Sequence, residues 1–176
     1  GAGKSELLEA IFGLHPTTGG EISLEGQKVD RWDPHEAIRA GMALVPEDRL
    51  SKALLANRSI AWNVAMPYWN SLSRRFSIGS REARLGDEVV SELGIAAPGS
   101  HTLVEHLSGG NKQKVSVGRW LGTHSAARIF LFDEPTQGLD VGARAGVYRL
   151  MRNLADNGAS IIVASSELEE VLAISD

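Results

Sequence analysis

Ile129-Phe130-Leu131-Phe132-Asp133-Glu134 runs four apolar residues straight into two adjacent carboxylates. An uninterrupted apolar run of this length reads as a strand buried on both faces, with the carboxylates where it leaves the sheet. Residues 42–45, stopped by Pro46, and residues 161–164 read as two further buried strands. Helical spacing fills the chain around them. Residues 4–14 place Leu7, Leu8, Ile11 and Phe12 on one face, and residues 80–93 do the same with Leu85, Val89, Val90 and Leu93. Further helices are expected over 34–40, from Ser108 to about 121, and over 141–155, with a short strand over 21–24 closed by Gly26. Buried strands separated by helices imply an α/β fold whose parallel sheet is covered on both faces. Residues 48–107 contain helical stretches, a polar hinge near 71–80 and no convincing strand, so they read as a helical insertion.

Composition narrows the function. The chain has 176 residues, 43% hydrophobic and 23% charged, which is ordinary for a folded domain. Eighteen basic against twenty-two acidic residues leave a formal charge of −4, which argues against a nucleic-acid partner held through its backbone. The absence of cysteine excludes disulfides, thiolate metal sites and cysteine nucleophiles. His15, His35, His101, His106 and His124 lack ligand spacing, and no apolar run reaches the length of a membrane span. Arg74, Arg75, Arg81 and Arg84 read as a solvated basic face.

Three segments carry chemistry. Gly1-Ala2-Gly3-Lys4-Ser5 matches the end of the phosphate-binding pattern G-x-x-x-x-G-K-[ST]. Glycines let backbone N–H groups close around phosphate oxygens, Lys4 reaches the terminal phosphates, and the Ser5 hydroxyl ligates Mg²⁺. The chain opens inside this loop without a Met, so the first strand is expected upstream of Gly1. Asp133 and Glu134 supply the complement: Asp133 to hold Mg²⁺, Glu134 to polarise an attacking water. Leu107-Ser108-Gly109-Gly110-Asn111 starts a helix with a serine and two glycines, a second anion site. One nucleotide cannot readily use two helix N-termini of one domain, so Ser108, Gly109 and Gly110 are expected to complete a partner's phosphate site head to tail.

Together these motifs resemble the nucleotide-binding domain of the ATP-binding-cassette superfamily, with a P-loop core, a helical subdomain and the following Gly138-Leu139-Asp140. Within it, Leu44-Val45-Pro46-Glu47-Asp48-Arg49 and Asn111 resemble the second cassette of monosaccharide importer ATPases of the ribose, galactoside and xylose type. The resemblance implies an α/β nucleotide core over 1–47 and 116–176 and a helical subdomain over 48–115. It also implies ATP and Mg²⁺ as ligands, a paired cassette, and docking on membrane permease subunits at the cytoplasmic face of the cell membrane. A periplasmic sugar-binding protein would supply the cargo, and an adenine-stacking aromatic is expected upstream of Gly1.

Two positions depart from the superfamily pattern. Glu47 stands where a glutamine is usual, and Ser166 where a switch histidine is usual. A carboxylate at Glu47 can touch Mg²⁺ or water but donates no hydrogen bond, and Ser166 carries no positive charge. Slow hydrolysis is therefore expected at this site. Two other readings stay open: a cassette ATPase of translation or DNA repair, and a nucleotide-gated dimerisation module with little turnover. Leu54, Leu55, Ile60, Trp62, Val64, Met66, Tyr68 and Trp69 read as core of the helical part, or in part as a groove for a permease helix.

Overall fold

The computed structural model describes residues 3–16, 19–29, 32–68, 78–121 and 127–175. Gly1, Ala2, Trp69, Arg74, Arg75, His124 and most of the expected 71–80 hinge lie outside them. By compactness the chain divides into Gly1–Glu47 with Ala127–Pro135 and Leu154–Asp176, and Asp48–Ala126 with Thr136–Asn153. The expected core of 1–47 and 116–176 groups residues by role. Compactness instead assigns 116–126 and 136–153 to the second unit.

In the first unit, helix α1 (Lys4–Ile11) is followed by a two-residue hairpin, β1 (Ser23–Leu24) against β2 (Gln27–Lys28). Glu25 and Gly26 both take positive φ, 51° and 78°, as a two-residue hairpin turn requires. The sequence pattern implies β1 but not its partner. Helix α2 (Pro34–Arg39) starts at Asp33, whose Oδ1 accepts the Glu36 N–H at 2.9 Å, with Pro34 at the first helical position.

The strands β3 (Met42–Val45), β4 (Ile129–Asp133) and β5 (Ser160–Ala164) form one parallel sheet in the order β3-β4-β5. Phe130, Leu131 and Phe132 are fully buried, as expected of a central strand covered on both faces, and α1 packs on β4 and β5 through this sheet. β5 departs from the expected buried strand: Ser160 is exposed and Ile162 is 43% exposed. Among the described strands it pairs on one side only. The register sets Val45 opposite Phe132 and Ala164 opposite Asp133, so all three strands end at the same edge.

The second unit is built from α3 (Arg49–Lys52), α4 (Ile60–Ala65), α5 (Ile78–Glu92), α6 (Gly109–Gly118) and most of α7 (Val141–Asp156). Helix α8 (Leu168–Ile174) follows β5 in the first unit. Leu54, Ile60, Val64, Leu85, Val89, Val104 and Val115 form the core of the second unit. Leu54, Ile60 and Val64 of the apolar run after Glu47 thus pack inward. Leu55 is 43% exposed, and Trp62 lies under the Arg58 guanidinium at 5.3 Å. Asn63, buried inside α4, accepts the Leu55 N–H at 2.8 Å and donates to the carbonyls of Leu55 and Ser59, each at 3.0 Å, holding the preceding turn.

Gly86 marks a close approach of α5 to α4. A Cβ there would meet the Ala61 Cα and Cβ and the Ser100 Cβ, each at 2.7 Å. Helix propensity favours alanine over glycine by about 1 kcal/mol, but overpacking against backbone costs about 1–3 kcal/mol. Gly86→Ala is therefore expected to lower stability, read as a falling urea midpoint. An unchanged or higher midpoint would show that the α4–α5 contact yields easily.

Candidate functional site

Gly3 caps α1 in the left-handed conformation, φ 76°, where glycine alone is free of strain. That turn sends Lys4 and Ser5 into the helix's first turn. Lys4 Nζ lies 3.3 Å from Glu134 Oε1. On the other side of the same carboxylate, Ser166 Oγ donates to Oε2 at 3.1 Å, and the Ser166 backbone N–H donates as well. Glu134 takes φ 46°, unusual for a residue other than glycine, while its N–H donates to the Ala164 carbonyl at 2.8 Å. Such a conformation costs about 1–3 kcal/mol and persists where its surroundings impose it. Here the β5 end imposes it, turning the side chain between Lys4 and Ser166.

The electrostatics follow from these contacts. Burial disfavours the charged form of Glu134, and it is the largest single influence. The Ser166 backbone N–H, Lys4 and the Ser166 hydroxyl together outweigh it, leaving the pKa below the usual glutamate value.

Asp133 is 4% exposed, and its buried Oδ1 has no hydrogen-bond partner among the described residues. A buried carboxylate oxygen left unpaired is costly unless a cation meets it. Hard oxygen donors of this kind suit Mg²⁺, and Ser5 offers a hydroxyl from the first turn of α1. Glu47 leaves β3 at the same sheet edge and is half-buried, with no hydrogen bond or ion pair to the other site residues among those described. Thus Lys4, Glu134 and Ser166 are brought into contact, Asp133 is the chain neighbour of Glu134, and Glu47 shares only the edge.

The signature segment lies in the second unit. Ser108 caps α6, its Oγ accepting the Asn111 N–H. Gly109 is exposed and Gly110 buried, and both are closely packed: a Cβ on Gly109 would come 2.8 Å from Leu139 Cδ2, and one on Gly110 2.8 Å from Ala143 Cβ. The loop they pack against is itself clasped. Arg144 Nε donates to the Leu139 carbonyl at 3.2 Å, and Asp140 Oδ1 accepts the Ala143 N–H at 2.9 Å.

Arg49 ties the two segments together, donating from Nη1 to the Gly109 carbonyl at 3.3 Å and from Nη2 to the Gln137 carbonyl at 2.7 Å. Burial lowers its pKa from the usual arginine value, and Asp48 opposes that shift.

A family model described as ABC transporter matches residues 1–137. The chain belongs to the ABC transporter family.

Among curated relatives, the putative ribose/galactose/methyl galactoside import ATP-binding protein of Hahella chejuensis is 40% identical over 178 residues, covering 100% of this chain and 34% of that protein. The ribose import ATP-binding protein RbsA of Bacillus subtilis is 40% identical over 177 residues, covering 100% of this chain and 36% of its own length. The arabinose import ATP-binding protein AraG 2 of Burkholderia ambifaria is 41% identical over 182 residues, covering 100% and 34%. The chain thus spans about a third of the length of these relatives. The crystal structure of a nucleotide-free ATP-binding cassette from an ABC transporter superposes with a TM-score of 0.81 at 19% identity, covering 98% of this chain and 70% of that one. A cassette in its ADP conformation superposes at 0.78, also at 19% identity, covering 98% and 69%. At that identity the likeness shows the fold.

Two features of this ABC transporter chain escape a reading of its sequence. Arg49 sits in a segment whose resemblance is legible, but its acceptors are backbone carbonyls, which leave no residue signal. Ser166 reads as the loss of a histidine, whereas its hydroxyl and N–H both engage Glu134.

Proposed function

We propose that this chain is the catalytic core of an ATP-binding subunit that hydrolyses ATP to energise sugar uptake. The observation carrying the reading is Glu134, held between Lys4 and Ser166 beside a buried Asp133 oxygen that has no partner among the described residues. Gly1, Ala2 and Gly3 cradle the phosphates with their N–H groups, and Lys4 binds the terminal oxygens. Phosphate competes with Glu134 for the Lys4 ammonium, while Ser166 keeps the carboxylate in place to orient and polarise the attacking water. Ser5 and Asp133 would hold Mg²⁺, with Glu47 a further oxygen donor at the same edge. When bound, Mg²⁺ neutralises charge on the phosphates.

Sugar uptake is supported by the names of relatives about 40% identical along the whole chain. In this reading the subunit docks on membrane permeases at the cytoplasmic face, a periplasmic binding protein delivers the sugar, and a paired cassette closes over the nucleotide. No helix among the described residues is long and apolar enough to cross a membrane. Ser108, Gly109 and Gly110 complete the paired cassette's phosphate site. The site of Lys4 and Glu134 turns over more slowly than its companion, because Glu47 donates no hydrogen bond and Ser166 brings no charge to the γ-phosphate.

The test of the head-to-tail arrangement is Ser108→Arg in the full-length protein with its permease. Gly109 is the poorer position, since any side chain there strikes Leu139. Binding of ATP at this chain's own loop should stay within about twofold, while turnover at the paired cassette falls by roughly a hundredfold. Loss of binding at the chain's own loop, with normal turnover at the companion, would refute the arrangement.

A further inference from the structure

The cap of α6 contains a constraint that the anion site by itself does not require. Ser108 Oγ receives two N–H groups of one residue, the Asn111 backbone N–H at 3.4 Å and Asn111 Nδ2 at 3.0 Å. The amide is held in that sense, because Asn111 Oδ1 accepts the Ala96 N–H at 3.0 Å. Turned over, it would set its NH₂ group against that N–H. A hydroxyl has one proton and two lone pairs. With N–H donors on both lone pairs, the Ser108 proton must point elsewhere. Ser108 is exposed, and no acceptor for that proton lies among the described residues.

We infer that Asn111 is a positioning residue that commits the Ser108 hydroxyl to donate outward, to an oxygen of the bound phosphate. Phosphate oxygens only accept, so a serine whose proton was spent inside the cap would face them with lone pairs. The inference rests on the reading that Ser108 touches the paired cassette's nucleotide, and it adds the residue that sets the direction of that hydrogen bond. Asn111→Asp keeps the size and the acceptor for Ala96 but removes the Nδ2 donor. The new carboxylate would accept the Ser108 proton and reverse the hydroxyl. Asn111→Ala removes both contacts yet leaves the hydroxyl free to turn outward.

The experiment uses the full-length protein in its assembled complex with MgATP, reading single-turnover hydrolysis at the paired cassette and ATP affinity at this chain's own loop. Ser108→Ala should lower turnover by roughly a hundredfold, and Asn111→Asp should match it within about threefold. Asn111→Ala should lose about tenfold less than Asn111→Asp, and adding Asn111→Asp to Ser108→Ala should cost nothing more. Affinity at the chain's own loop should not change in any variant. A merely structural Asn111 gives the opposite order, since the aspartate keeps the Ala96 bond and the alanine does not. That order would overturn the inference, as would a further loss in the double variant, which would assign the effect to added charge. Unchanged turnover in Ser108→Ala would instead overturn the underlying reading of Ser108, and the role of Asn111 with it.

Discussion

Glu134→Gln is expected to lower single-turnover ATP hydrolysis at this site by about two to four decades while leaving nucleotide binding intact. Glutamine preserves the shape and can still accept from Ser166, so the variant removes the charge and little else. Lys4, 3.3 Å away, thereby loses its counter-ion, which favours the lysine's release toward phosphate. The informative comparison is the equivalent change in the companion cassette, measured in the full-length protein. If this site is the slower of the two, the companion change costs more of the total turnover. A larger loss from Glu134→Gln would show that Glu47 and Ser166 leave the site fully competent, with Ser166 holding Glu134 well enough to make a histidine unnecessary.

Lys4→Ala is expected to weaken ATP binding at this site by about ten- to a hundredfold, since hydrogen bonds to charged groups contribute about 1.5–3 kcal/mol each. The ammonium is the flexible cation of the loop, and no other described residue forms an ion pair with Glu134. Titration of the full-length protein with a fluorescent ATP analogue reads the change. Affinity unchanged by the substitution would remove the phosphate-loop assignment. It would leave Lys4 as a counter-ion whose role is to stabilise the buried Glu134.

Spacing along the chain by itself determined a good deal of this protein. Apolar runs of four residues at 42–45 and 129–132, stopped by Pro46 and by Asp133-Glu134, are too short for a buried helix and read as buried strands, and both are observed. The glycine loop before Lys4, Asp33-Pro34 before α2 and Ser108 before α6 are capping signals that act within four residues, so they are legible in one dimension. The hairpin turn at Glu25 and Gly26 was half legible: glycine marks it, but nothing marks a glutamate as left-handed.

What the tertiary structure alone decided are meetings between distant residues. Ser166 reaches Glu134 across 32 positions and Lys4 reaches it across 130, because the register of β4 and β5 and the packing of α1 on the sheet bring their ends to one edge. Gly109 is closed by Leu139 and Gly110 by Ala143, and Arg49 clasps both segments through carbonyl oxygens that every residue possesses. The half-exposed face of β5 was equally hidden, since an apolar pattern states what a strand can bury and not which neighbours cover it. Periodicity and capping are properties of a short stretch of chain. Convergence at a site depends on register and packing, and those exist only once the strands and helices have met.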